Sequence, residues 1–169
     1  MQSHEAWLAE ARSVLGEVGV DAVVMGAVAA LQYRSSPRTT TDLDLLIGRA
    51  GDLRAAFEEH DFAVREVTDP SGDPFLFIIT RNEVRIDIIV AETAYQEEAL
   101  KRAINGYLSP EDVILHKLIA WRARDRDDIG SILEADIEID SAYVDRWATE
   151  WDVADRWREA QGWKLVNGS

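Results

Sequence analysis

The sequence has no cysteine among its 169 residues, which excludes a disulfide framework, a thiolate metal site and a cysteine nucleophile. Lysine is nearly as scarce: Lys101, Lys117 and Lys164 are the only ones, and the other basic residues are arginines. No stretch approaches the roughly 18 apolar residues a membrane span needs. The first residues, with Glu5 and Glu10 and no long apolar core, do not read as a secretory signal, so a cytoplasmic protein is expected. Low-complexity runs and fixed-period repeats are also missing. Positive charge is short overall: 18 basic against 32 acidic residues give a formal charge of −14. That balance repels polyanions at long range and argues against broad, sequence-independent nucleic-acid binding. A nucleotide or a short RNA end gripped locally remains open, because arginine suits bidentate phosphate contacts.

What is present is ordinary globular material, 47% hydrophobic and 30% charged, in a chain long enough for one domain or a compact core with a small appendage. Within it two apolar stretches carry acid in their middle: Thr41-Asp42-Leu43-Asp44-Leu45-Leu46-Ile47 and Val84-Arg85-Ile86-Asp87-Ile88-Ile89-Val90. Both read as strands, and aspartate is depleted in strands. Alternation puts Asp42 and Asp44 on one face, opposite Leu43, Leu45 and Ile47. Asp87 shares a face with Arg85 and Ile89. If the two strands are neighbours with these faces aligned, three carboxylates converge. Like charges that close disfavour one another's ionisation unless a cation sits between them. A hard divalent ion such as Mg²⁺ is the natural occupant. The other reading is a solvated strand face.

Around these strands the chain reads as an amphipathic helix over residues 4–18, then a short strand, Ala22-Val23-Val24-Met25, running into Gly26 and a helix from Ala27 to about Gln32. A strand, a glycine and a helix bring backbone N–H groups to one point that can hold phosphate. The polar loop over 33–41 carries Arg34 and Arg38 into the first acidic strand. A helix over 52–60, a strand over 62–67 and a hairpin of 75–80 with 84–90 follow, the turn over 69–74 between them, and then a helix over 93–103. Ser109-Pro110-Glu111-Asp112 is a strong helix start, and helices over 109–121, 127–135, 141–151 and 153–160 complete the chain. Asp125, Asp127 and Asp128 read as acid at a helix start, with a second metal site as the alternative. His116 reads as packed or exposed rather than functional.

The order Val24-Met25-Gly26-Ala27, Asp42-Leu43-Asp44, Arg85-Ile86-Asp87 resembles the nucleotidyltransferase superfamily, whose fold is shared with DNA polymerase beta. More narrowly, the stretch from Arg38 to Leu46, Ser109 to Leu118, and Arg124-Asp125-Arg126-Asp127-Asp128 resemble small bacterial proteins grouped with the AbiEii abortive-infection toxins. The family's second small residue is Gly or Ser, and Ala27 departs from it.

The resemblance implies an α+β fold, a mixed β-sheet core with flanking helices over 1–108 and a C-terminal helical segment over 109–169 packed on it. It implies transfer of a nucleoside monophosphate from a nucleoside triphosphate to a hydroxyl, with two Mg²⁺ ions held by Asp42, Asp44 and Asp87. Gly26, Ala27, Arg34, Arg38 and Lys117 are then the nucleotide-binding candidates. For Lys117 the alternative is an exposed helix lysine, and for the two arginines it is loop solubility. The acceptor stays open among an RNA end, a protein and a small molecule. Two competing functions stand beside this: a non-catalytic nucleotide- or partner-binding module of a toxin–antitoxin type, favoured by Ala27, and a metal-dependent phosphohydrolase.

Overall fold

The structure is a computed structural model that describes residues 3–167, with side chains to Lys164. The chain divides into two compact units. One runs up to Val28 and resumes over Thr39–Leu108; the other joins Ala29–Arg38 to the chain from Ser109 onward.

The first unit is built on a five-stranded sheet of β1 (Ala22–Met25), β2 (Leu43–Ile47), β3 (Ala63–Thr68), β4 (Pro74–Arg81) and β5 (Val84–Val90), in the order β1-β2-β5-β4-β3. The β2–β5 pair is parallel and every other pair is antiparallel. A mixed sheet with helices is the α+β class expected. The inner strands carry the apolar face: Leu43, Leu45 and Ile47 of β2 and Ile86 and Ile88 of β5 are buried. Helix α1 (His4–Glu17) lays Leu8, Ala11, Val14 and Leu15 inward and packs on β2 and on α3 (Leu53–Glu59). Burying these side chains, together with Phe57, Phe62, Phe77 and Ile79, contributes to the unit's hydrophobic driving force. The free edge of β1 is covered because Tyr107 bridges to Val24 and the Leu108 N–H donates to the Val24 carbonyl at 2.9 Å, which protects an otherwise open strand. Asn82, at φ +55°, makes the tight turn between β4 and β5.

In the second unit, α5 (Pro110–Ala120), α6 (Ala123–Glu134), α7 (Ser141–Glu150) and α8 (Ala154–Asn167) pack pairwise, α5 against α6 and α7, and α8 against α6 and α7. Ser109 caps α5, its hydroxyl accepting from the Asp112 N–H at 3.2 Å. Two boundaries differ from the sequence reading. Helix α6 begins at Ala123 rather than near 127: the Asp125 carboxylate accepts from the Arg122 N–H at 3.0 Å and starts the helix early. Only Trp121, left-handed at φ 50°, and Arg122 separate α6 from α5. Helix α8 continues past Ala160 to Asn167. Residues 29–38, read from sequence with the core, group with the helices because the Ser35 N–H donates to the Ser131 carbonyl at 3.0 Å and the Ser36 N–H to the Ser131 hydroxyl at 3.3 Å. No helix among the described residues is long and apolar enough to cross a membrane.

His116 on α5 is half-buried as a residue, but its Nδ1 is shut off from solvent. Burial, with the Lys117 cation adding to it, pushes its pKa down to about 4. The unfolded imidazole takes a proton below about 6.5, so stability is complete above that pH and drains as pH falls from 6.5 toward 4. The expected loss is about 2–3 kcal/mol across that window. Denaturant melts at a series of pH values should show this slope in the wild type and its absence in His116→Gln; parallel slopes would remove His116 as the cause.

Candidate active site

The first unit gathers its chemistry where β1 ends and β2 begins. Leu43 and Ile86 are register partners, as are Asp44 and Asp87, so the two aspartates lie side by side on adjacent parallel strands and point to the same face. Their Cα atoms are therefore about 5 Å apart. Asp42 lies just ahead of β2, on the same face by alternation, and is exposed, while Asp44 and Asp87 are half-buried.

Antiparallel pairing sets Met25 opposite Asp44, and the next residue, Gly26, passes directly over the Asp44 carboxyl. Gly26 is at φ +64°, and a Cβ there would stand 3.1 Å from the Asp44 Cγ and inside the contact distance of a carboxylate oxygen. Two separate constraints thus require glycine, the left-handed backbone and the approach of the acid. Replacing it with alanine is expected to destabilise the chain by about 1–3 kcal/mol and to displace Asp44. Equilibrium unfolding measures the first effect, and a variant as stable as wild type would contradict it. Ala27 follows in α2 (Gly26–Ala30). With five residues, that helix offers little macrodipole, so any anion there depends on individual N–H groups.

The convergence of charge is visible in Arg85. Its guanidinium donates to both Asp87 oxygens, Nε at 2.8 Å and Nη2 at 3.0 Å. Its pKa is raised first by that hydrogen bond, then by the charge of Asp87, with Asp42 and Asp44 adding further. A cation placed here feels all three acids. No group of three or more His, Asp or Glu among the described residues is arranged to hold a metal ion, and Asp87 is turned onto Arg85. A Mg²⁺ site does not need such a cage, because that ion uses one or two carboxylates together with substrate phosphate and water. Asp44 and Asp87 are hard oxygen donors, and Asp87 already holds a cationic side chain that is 57% exposed, so the pair fits that requirement.

The second unit holds the remaining site candidates, in a different setting. Asp128, fully buried, accepts from Arg34 Nη1 at 2.6 Å and from Arg38 Nε at 2.9 Å and Nη2 at 3.2 Å, and pairs with Lys117 Nζ at 2.9 Å. Lys117 also donates to Asp125 at 3.2 Å, and Arg122 Nε donates to Asp125 at 2.7 Å. Lys117 is therefore a buried, paired lysine and not an exposed helix residue. Burial pushes Asp128 up, but the hydrogen bond and charge of Lys117 and the charge and hydrogen bond of Arg38 prevail and hold its carboxyl below the usual range. Asp125 is likewise held low by Arg122 and Lys117 against its burial. Of the three acids read as a helix start, Asp125 serves that role and Asp128 is the hub of an ion-pair network. Sequence reasoning left out Arg85 as a functional candidate, and it read Asp128 as helix-start acid or part of a second metal site rather than as the hub of an ion-pair network. An arginine two residues before a strand aspartate shares its face and was a usable signal for the first.

No family model matches this sequence, and no curated protein does. Solved structures do. The protein JHP933 from Helicobacter pylori superposes with a TM-score of 0.56 at 16% identity, over 89% of this chain and 78% of that one. ANT(2'')-Ia in complex with adenylyl-2''-tobramycin gives 0.54 at 16% identity, over 99% and 100%. A candidate nucleotidyltransferase from H. pylori gives 0.56 at 16% identity, over 89% and 80%. The chain has the nucleotidyltransferase fold. Similarity at this identity is a likeness of fold. Within that fold the Asp44–Asp87 pair and the glycine over Asp44 are properties of this chain's own residues.

Proposed function

We propose that this protein is a Mg²⁺-dependent nucleotidyltransferase that moves a nucleoside monophosphate from a nucleoside triphosphate to a hydroxyl. The observation carrying this is the register pairing of Asp44 with Asp87 under the backbone of Gly26. Asp44 and Asp87, with Asp42 at the rim, would hold the metal, which when bound polarises the phosphoryl oxygens and screens the leaving charge. In the transfer, the acceptor oxygen forms a bond to the α-phosphorus as the bond to pyrophosphate breaks. The hydroxyl proton passes to a carboxylate, for which Asp87 is the candidate, and Arg85 sets that carboxylate's orientation and charge. Backbone N–H groups at Gly26 and Ala27 are available for phosphate. A triphosphate role for Arg34, Arg38 and Lys117 rests on the resemblance alone, since their charges are engaged by Asp128 and Asp125. Placement within the AbiEii-like group, with a toxin or antitoxin partner, rests on the same sequence likeness.

The alternative is a binding module without chemistry, favoured by Ala27 and by the Arg85–Asp87 pair, which neutralises one of the acids. Incubation with α-labelled nucleoside triphosphates, Mg²⁺ and bulk cellular RNA, protein or small-molecule extract separates the two. Label in a macromolecule or small acceptor, with pyrophosphate released, supports transfer. Nucleotide binding indifferent to Mg²⁺ and to Asp44, with no label moved, supports the module, and release of inorganic phosphate would indicate hydrolysis.

A further inference from the structure

The helical unit holds a cavity of about 380 Å³ between the end of α6, the connector to α7 and the later turns of α8, a volume in the range of small-ligand sites. The connector makes one wall. Asp136, left-handed at φ 53°, follows α6, and the chain then runs without helix to Asp140. Along that run Ile137 and Ile139 are half-buried while Asp136, Glu138 and Asp140 are exposed, so period-two alternation turns the isoleucines to the cavity and the acids to water. The far end is pinned: the Asp140 N–H donates to Glu111 Oε1 at 2.8 Å, and the Asp140 carboxylate accepts from the Tyr143 N–H at 3.1 Å. Leu133 and the Trp157 ring complete the apolar lining.

On α8, Trp157, Gln161 and Lys164 are spaced at i, i+4 and i+7, which puts all three on the face lining this cavity. Trp157 is 2% exposed, and its Nε1–H is buried with no hydrogen-bond partner. A buried donor left unpaired is costly, and an acceptor oxygen admitted beside the ring would remove that cost. Gln161 and the Ser141 hydroxyl, at the start of α7, add further donors. Among the described lining residues Lys164 alone is charged. Its side chain is 54% exposed and that of its partner, Asp136, 88%, so the pair can open to an anion at little cost. Apolar walls with donors and one ammonium fit an amphiphilic acid. We infer that this cavity binds a small apolar molecule ending in a carboxylate, its body against Leu133, Ile137, Ile139 and Trp157 and its oxygens toward Gln161 and Lys164. Such binding does not depend on nucleotidyl transfer.

The test titrates 3-phenylpropanoate, 3-phenylpropan-1-ol and 3-phenylpropylamine into the full-length ¹⁵N-labelled protein and follows the Trp157 indole N–H resonance, assigned by its loss in Trp157→Phe. The carboxylate is expected to shift it saturably and to bind about fivefold more tightly than the alcohol, with the amine weakest. The exposed acids of the connector, partly screened by salt, keep that margin modest. Lys164→Gln should bring the carboxylate to the affinity of the alcohol and leave the alcohol unmoved. Ile139→Trp, which fills the cavity from the connector, should abolish binding of all three compounds. Should Trp157→Phe fail to fold, calorimetry of the same compounds against wild type, Lys164→Gln and Ile139→Trp reads the same outcomes without an assignment. No saturable shift or heat with the carboxylate, an alcohol or amine that binds as tightly as the acid, or binding that survives Ile139→Trp overturns the site.

Discussion

Replacing Asp128 with alanine is expected to destabilise the protein by about 3–5 kcal/mol, the cost of removing one partner from a buried ion pair. Its carboxylate is fully buried and faces three cations, Arg34, Arg38 and Lys117, of which the Arg34 side chain is 4% exposed and that of Lys117 8%. Without it, Lys117 retains Asp125 and Arg34 retains Asp127, while Arg38 loses its two hydrogen bonds to that carboxylate. Those cations cannot all reach water without opening α6 or the 29–38 segment. Against a total stability of about 5–15 kcal/mol, such a loss is large. Asp127 is the internal control: it bonds the same Arg34 at 3.0 Å but is 64% exposed, so Asp127→Ala should cost under about 1 kcal/mol. Chemical denaturation of both variants measures the difference. Equal, small losses would mean that the network is solvated and that burial does not set its energy.

That contrast also marks what could be read from residues alone. The strands of β2 and β5 were legible because period-two alternation of aliphatic residues interrupted by aspartate has a single simple reading, and the start of α5 was legible because Ser109-Pro110 is a local signal. Local signals end where pairing begins. That Asp44 meets Asp87 in register depends on β2 and β5 becoming parallel neighbours across the intervening hairpin, which no window of sequence contains. The approach of Gly26 to Asp44 depends in turn on the antiparallel β1–β2 register. The partners of Arg34 and Arg38 were the hardest to find. Sequence proximity directs these arginines toward Asp42, whereas their carboxylate is Asp128, 94 and 90 residues away. Charges pair through space and leave no periodicity. The spacing of Asp125 and Asp128 by three residues on a helix, which puts both on one face, was the one available hint that this acid pair sought buried cations.

Replacing Asp44 with asparagine is expected to lower nucleotidyl transfer by about 10³-fold, equivalent to about 4 kcal/mol of transition-state stabilisation, while leaving the fold intact. Asparagine preserves the shape that fits beneath Gly26 and removes only the charge. That charge is the part a metal and a transferring phosphoryl group would use, and its loss also relieves repulsion from Asp87 and Asp42. Stability should therefore hold or rise slightly, the opposite sign to the activity, as is common where function keeps like charges together. Asp87→Asn should show the same pairing of effects, with the added mark that Arg85 loses a bidentate partner. Arg85→Gln distinguishes the role of that arginine: if it stands where a cation belongs when nucleotide is absent, the variant should retain transfer to within about tenfold, and half-maximal activity should come at a lower Mg²⁺ concentration. Label transfer measured across Mg²⁺ concentrations, with thermal melts of each variant alongside, decides the matter. Transfer by Asp44→Asn at the wild-type rate would detach the chemistry from this pair of strands, and equal losses of transfer and stability would make Asp44 a structural residue.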